Sequence, residues 1–155
     1  MLKFFSSSYT HKVEPKGRVS IPSDYRKILE AMGSGHVVVL PQLKIPEAHV
    51  VLSQAGYERV IERFETDAKQ MQPQERDALQ IRLIARASPL SLDEAGRIVL
   101  PEALRQSIGV TNEVAFVGNG SSFELWHPGN RSDYEGSFGE LDAALAAKID
   151  LGGLH

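Results

Sequence analysis

The sequence predicts an α+β fold built from two copies of one small unit, and three observations lead there. A phrase is written twice, as Glu14-Pro15-Lys16-Gly17-Arg18-Val19-Ser20-Ile21-Pro22 and as Asp93-Glu94-Ala95-Gly96-Arg97-Ile98-Val99-Leu100-Pro101. The offset of 79 residues continues through Tyr25/Leu104, Arg26/Arg105 and Leu29/Ile108, which marks an internal duplication rather than a chance match. Each copy reads as a tight turn between strands followed by a short helix. One copy alone offers about 50 residues, close to the size at which a domain folds by itself only with difficulty, so the two are expected to complete one another.

In chain order, Tyr9 to Val13 forms a strand leading into the first turn, and Arg18 to Ile21 leaves it with Val19 and Ile21 alternating against Arg18 and Ser20. Glu14-Pro15-Lys16-Gly17 has proline second and glycine fourth, and Asp93-Glu94-Ala95-Gly96 has aspartate first and glycine fourth, both suited to type I turns that close hairpins. Pro22 and Pro101 supply a fixed φ for a first helical position. Tyr25, Ile28 and Leu29, matched by Leu104 and Ile108, then mark one helical face. His36 to Leu40 and Ala48 to Leu52 are strand-like runs joined by a loop with Pro41 and Pro46. Their counterparts, Glu113 to Val117 and Ser122 to Trp126, flank the hairpin signal Gly118-Asn119-Gly120. Between the copies, Tyr57, Val60, Ile61 and Phe64 share a helical face, and a further helix runs from Pro73 to Arg86. A last helix is read from Phe138, Leu141, Leu145 and Ile149, weakened by Gly136 and Gly139 and followed by a Gly152-Gly153 tail. The organisation expected is a first repeat over 9–55, linking helices over 56–87, a second repeat over 88–130, and a C-terminal helix and tail over 131–155.

The chain has 155 residues, 42% of them hydrophobic, enough for one good core or two small ones. It has no cysteine, which excludes disulfide frameworks, thiolate zinc sites and cysteine nucleophiles. Met1-Leu2-Lys3-Phe4-Phe5 gives way at once to Ser6-Ser7-Ser8, too short an apolar run for a signal peptide or membrane span, so a cytoplasmic location and no membrane partner are expected. The net charge of −3 argues mildly against nucleic acid, but the charge is unevenly spread. Between Lys3 and Lys27 six cations face only Glu14 and Asp24, whereas from Ser88 to Asn130 Arg97 and Arg105 face five acids. The basic surface belongs to the first copy.

Arginine at the exit of a tight turn on a two-stranded ribbon suits a DNA major groove, where it can donate paired hydrogen bonds to guanine O6 and N7. Lys16 and Arg18 fit that pattern, and Arg97 is the second copy's equivalent. For an isolated turn the simpler reading is that the arginine pairs with a neighbouring carboxylate such as Glu14 or Asp93. Duplication of the motif and its place in the basic segment favour the DNA reading. Lys12 and Lys3 could add sequence-independent phosphate contacts. Arg26 and Arg105 are read as structural first, and Ser6 to Ser8 as a flexible arm. Trp126, Phe116 and Phe123 read as core rather than base-stacking platforms. The five histidines show no metal-ligand spacing and no compact Ser/His/Asp arrangement can be assembled, so neither an enzyme, a metal nor a cofactor is called for.

Lys16-Gly17-Arg18-Val19-Ser20-Ile21-Pro22 with Tyr25-Arg26, then Asp93, Gly96-Arg97-Ile98-Val99-Leu100-Pro101 with Leu104-Arg105, and later Phe123-Glu124-Leu125-Trp126, closely resemble the MraZ family of bacterial transcriptional regulators over about residues 9 to 130. The resemblance implies two SpoVT-AbrB units whose hairpins interlock into a swapped-hairpin (double-split) β-barrel with flanking helices. It implies a ring-shaped homo-oligomer on the nucleoid that binds direct repeats in double-stranded promoter DNA upstream of the division and cell wall gene cluster, mainly as a repressor. By it, Lys16 and Arg18 match the family's DNA-reading loop and Arg97 its second-copy counterpart. Glu14 stands where the family usually has aspartate, and Ala95 with Glu94 leaves the second loop less basic, so the first repeat is expected to dominate DNA contact. The alternative from another class is an AbrB-like antitoxin or assembly scaffold acting mainly through protein partners.

Overall fold

A computed structural model describes residues 3–139 and 143–149. The strands are β1 (Ser8–Lys12), β2 (Arg18–Ser20), β3 (His36–Pro41), β4 (His49–Ser53), β5 (Ser88–Ser91), β6 (Arg97–Val99), β7 (Glu113–Gly118) and β8 (Phe123–Trp126). The helices are α1 (Ser23–Ala31), α2 (Gln54–Ala68), α3 (Pro73–Gln80), α4 (Glu102–Ile108), α5 (Pro128–Gly136) and α6 (Ala143–Ala146), with a π-helical turn over Ile81–Ala85. The protein is a mixed α+β fold with an antiparallel sheet in the order β1-β7-β8-β4-β3-β5 and a separate antiparallel ribbon of β2 and β6.

The sheet order reads alike from either end once each strand is exchanged for its counterpart in the other copy: β1 for β5, β7 for β3, β8 for β4. An approximate twofold relation therefore passes between β4 and β8, and again between β2 and β6. The turns form as expected, with Gly17 N–H donating to Glu14 O and Gly96 N–H to Asp93 O. The strands either side of each turn do not zip into the simple hairpin that the sequence suggests, however. β1 pairs with β7, β5 with β3, and the two post-turn strands with each other. Two three-residue strands gain a ladder and a buried face from one another that a lone short hairpin could not supply.

Burial follows the period-two pattern of strands, with both sheet faces covered. Val37 and Val39 of β3 face the main core with Val19, Tyr25, Leu29, Ile98, Leu104, Phe116 and Phe123. Val38 and Leu40 face a second cluster with Phe64, Ala68 and Leu83. This is why the run His36 to Leu40 lacks alternation. β7 repeats the scheme, with Val114 and Phe116 in the main core and Ala115 and Val117 against Trp126, beside Tyr134 of α5. Phe116, Phe123 and Trp126 are core residues, as the sequence indicates.

Four features differ from the sequence reading. Pro22 and Pro101 are the residues before the first helical turn, at ψ 138° and 154°, rather than within it. The helix from Pro73 changes to a π turn at Ile81, with Arg86 N–H donating to Ile81 O and the Tyr57 hydroxyl donating to Leu83 O. Ser6 to Ser8 are no loose arm. Phe5, 2% exposed, is buried against Tyr25 and Phe123, and its backbone exchanges two hydrogen bonds with Gly120. Ser7 O accepts from Gly118 N–H and the Tyr25 hydroxyl. Finally, α5 replaces the start of the expected C-terminal helix. The His127 imidazole caps it by accepting from Gly129 and Asn130 N–H, and it ends at Gly136, short of Phe138. Leu141 and the Gly152-Gly153 tail lie outside the described residues.

His49 on β4 is 3% exposed, lines a small cavity with Arg86, Ser88 and Ser107, and its Nδ1 has no hydrogen-bond partner among the described residues. Burial holds its pKa below the ordinary histidine value. The unfolded chain therefore takes up the proton first as pH falls, so His49 lowers stability progressively below about pH 6.5. Urea unfolding at pH 7.5 and 5.5 tests this. The native protein is expected to weaken between the two, and His49→Leu to weaken less; the same loss in both would remove His49 as the cause.

Candidate nucleic-acid interface

The β2–β6 ribbon buries Val19 and Ile98 on its inner face and turns Arg18, Ser20, Arg97 and Val99 outward. Register sets Arg18 opposite Val99 and Ser20 opposite Arg97, and directly opposed residues share a face of the ribbon. Each outward arginine stands at the exit of its turn, with the Lys16 tip exposed beside Arg18 and the Ala95 tip beside Arg97.

Both turns are held from the opposite copy. Leu100 N–H donates to Gly17 O at 2.9 Å and Ile21 N–H donates to Gly96 O at 3.0 Å. The α1 residue Arg26 donates from Nη1 to Ala95 O at 2.9 Å, and the α4 residue Arg105 donates from Nη1 to Pro15 O at 3.0 Å. Arg26 and Arg105 are thus structural, as expected, and each reaches across to fix the other copy's turn. The tip that carries Lys16 is positioned by second-copy residues.

Within each turn the arginine pairs with the first residue. Arg18 Nε–H donates to Glu14 Oε2 at 2.6 Å, and Arg97 Nε–H to Asp93 Oδ2 at 2.8 Å. The Arg18 hydrogen bond, followed by the charges of Arg18 and Arg97, holds the Glu14 carboxyl below its usual range. The Arg97 backbone N–H leads in doing the same for Asp93, whose carboxylate also accepts from Ala95 N–H. Exposed pairs of this kind add little stability. They do set direction, since Nε is one of five guanidinium donors and its bond to the turn orients the other four. The Arg18 side chain is 44% exposed and that of Arg97 35%, so the first copy's arginine is the more accessible.

The remaining candidates separate. Lys12 ends β1, adjacent to the first turn and opposite Glu113 on β7. Lys3 lies beyond the other end of β1, past Phe5 and its bridge to Gly120, and is not brought to the turns. Val99, which sequence reasoning passed over, completes a shallow concavity with Glu14, Pro15, Lys16 and Arg18. Its signal was available as an apolar residue at the position where the first copy has Ser20. Among the described residues no cluster of histidines and carboxylates could hold a metal ion, and no helix is long and apolar enough to cross a membrane.

Residues 83–150 match the family described as "MraZ protein, putative antitoxin-like". The chain is similar to the transcriptional regulator MraZ of Rickettsia bellii (strain OSU 85-389), 32% identical over 140 residues, covering 89% of this chain and 90% of that protein. It is also similar to the protein of that name from Parvibaculum lavamentivorans, 34% identical with 81% and 76% covered, and to that from Rickettsia rickettsii, 33% identical with 86% and 87% covered.

The two turn glycines differ in what hems them in. A Cβ on Gly17, at φ 97°, would lie 2.3 Å from the Leu100 carbonyl oxygen, whereas on Gly96, at φ 76°, it would meet Arg26 Cδ at 2.1 Å. Either alanine meets the left-handed penalty, about 1–3 kcal/mol. Arg26 can swing aside at the loss of its bond to Ala95; the Leu100 backbone cannot move without opening the ribbon. Gly17→Ala is expected to exceed Gly96→Ala in lost stability by urea unfolding, and the reverse order would contradict the cross-tie geometry.

Proposed function

The chain belongs to the MraZ family of transcriptional regulators, and on that premise we propose that it regulates transcription by reading promoter DNA with the outward face of the β2–β6 ribbon. The observation that carries this is the first turn. Lys16 and Arg18 stand exposed on a rigid two-stranded element, inside the chain's most basic segment, with the tip tied at Gly17 and Pro15 by second-copy residues. A two-stranded ribbon fits a major groove, and a preset arginine loses little freedom on donating to guanine.

In this reading the strand exchange between copies is that of a swapped-hairpin double-split β-barrel. Residues 9–55 and 88–130 are its two SpoVT-AbrB repeats and 56–87 the linking helices, with 131–155 following the second repeat. Arg18 reads bases, Lys16 and Lys12 contact phosphates beside it, Arg97 makes the equivalent contact more weakly, and Lys3 touches DNA only where the duplex extends past the far end of β1. The chain acts mainly as a repressor, on direct repeats upstream of the division and cell wall genes, from a nucleoid-associated homo-oligomeric ring. Several modest contacts linked in a ring bind strongly without any new interaction, which reconciles a net charge of −3 with firm DNA binding.

A second reading rests on the apolar groove between α2 and α3, lined by Leu52, Val60, Phe64, Met71, Leu79 and Leu83. It gives the antitoxin or scaffold role, in which a protein partner lies there. A stoichiometric second protein retained through purification would favour it.

Fluorescence anisotropy against the upstream DNA of its own gene, with scrambled DNA as control, tests the main reading. Arg18→Ala is expected to lose about 1–3 kcal/mol of selectivity per engaged site, and Arg97→Ala less. Lys16→Ala is expected to weaken both DNAs alike and flatten the salt dependence. Equal losses from Arg18→Ala and Arg97→Ala would contradict dominance of the first repeat, and equal binding of native and scrambled DNA by the unaltered protein would end the ribbon's role as a reader.

A further inference from the structure

Val99 is 53% exposed, although its neighbours Ile98 and Leu100 are 1% and 0% exposed. The core therefore accounts for both flanking residues and leaves this isopropyl group in solvent. It is paired across the ribbon with Arg18 and shares a concavity with Lys16, Arg18, Glu14 and Pro15. The approximate twofold relation makes Ser20 its counterpart, opposite Arg97 and beside the Ala95 turn. The apolar outward side chain thus sits with the cationic turn, and the hydroxyl sits with the weaker one. Solubility or strand preference alone would be served equally by a polar β-branched residue such as threonine at this place.

Resting on the ribbon's reading of DNA, we propose that Val99 is a specificity-determining residue that contacts the 5-methyl group of a thymine. Of the groups displayed in the major groove, that methyl is the apolar one; phosphates and the remaining base-edge groups are polar and gain nothing from an isopropyl neighbour. Opposed residues of an antiparallel pair lie about 4.5–5.5 Å apart at Cα, and bases along one strand rise by about 3.4 Å. The thymine accordingly lies one or two base pairs from the base to which Arg18 donates. Arginine and valine then read a short step together, one by hydrogen bonds and the other by exclusion of water from a methyl group. The other end of the ribbon, with Arg97 and Ser20, lacks this contact and is indifferent to the methyl.

Single replacement of each thymine by uracil in the upstream duplex removes only the methyl, and anisotropy reads the effect. Wild type is expected to lose about fourfold in affinity at one thymine in each bound repeat, the equivalent of one buried carbon. Val99→Ser, which copies Ser20, is expected to bind thymine DNA about fourfold more weakly and to show no further loss with uracil there. Val99→Asn, which likewise offers the thymine methyl no methyl of its own, serves if the serine variant folds poorly. The proposal is overturned if wild type separates native from scrambled DNA yet ignores every uracil, or if the Val99 variants retain the wild-type uracil loss. If wild type does not separate native from scrambled DNA, the reading of DNA by the ribbon falls and this contact falls with it.

Discussion

Gly17 lends its carbonyl to Leu100 and Gly96 lends its carbonyl to Ile21, and everything outward of those two bonds takes its position from them. Each glycine has a positive φ and sits where a side chain would strike the other copy. The arginine ties from α1 and α4 close over the same turns. Each turn closes through hydrogen bonds of its own copy and is fastened in place by the other copy. The size argument from sequence and the hydrogen-bond pattern therefore express one fact: the folding unit is the pair.

Carrying both copies on one chain frees them to diverge where they face outward. The inner residues stay alike, with Val19 against Ile98 and Ile21 against Leu100, because both enter one core. Outward, Lys16 faces solvent where the second copy has Ala95, and Ser20 where it has Val99. A dimer of identical single-copy chains would have to present the same side chains on both halves. Here one end of the ribbon is cationic and partly apolar, and the other is nearly neutral.

Much of this was legible from the chain alone. The 79-residue offset gave the paired turns, and the Tyr25, Ile28, Leu29 face and its counterpart gave the two short helices. Strand partners were not legible, because Val19 and Ile98 alternate equally well against either neighbour and only the assembled core decides between them. Helix α5 escaped because Pro128-Gly129-Asn130 reads locally as a turn. What makes it helical is the His127 cap, packing on Trp126, and the Arg131 guanidinium lying over the rings of Trp126 and Tyr134. The cross-ties of Arg26 and Arg105 depend on contacts between residues far apart in the chain, which spacing cannot show. Arg18 stands out in the sequence by its charge surroundings, while only the fold sets Val99 opposite it.

The pairing of β1 with β7 has a further consequence for how the molecule comes into being. Ser8 finds its partner in Val117, which is made long after it. As synthesis runs from the N-terminus, β1 and β3 emerge with unpaired edges and wait through the whole of α2 and α3 before β5 and β7 exist. Sheets closed by such distant strands form slowly and leave intermediates open to wrong pairing. Two nascent chains side by side offer each other the same edges that each will later supply to itself. The duplication thus resolves a problem of assembly in the finished protein and moves it to the ribosome, where the order of emergence decides whether β1 meets its own β7 or a neighbour's.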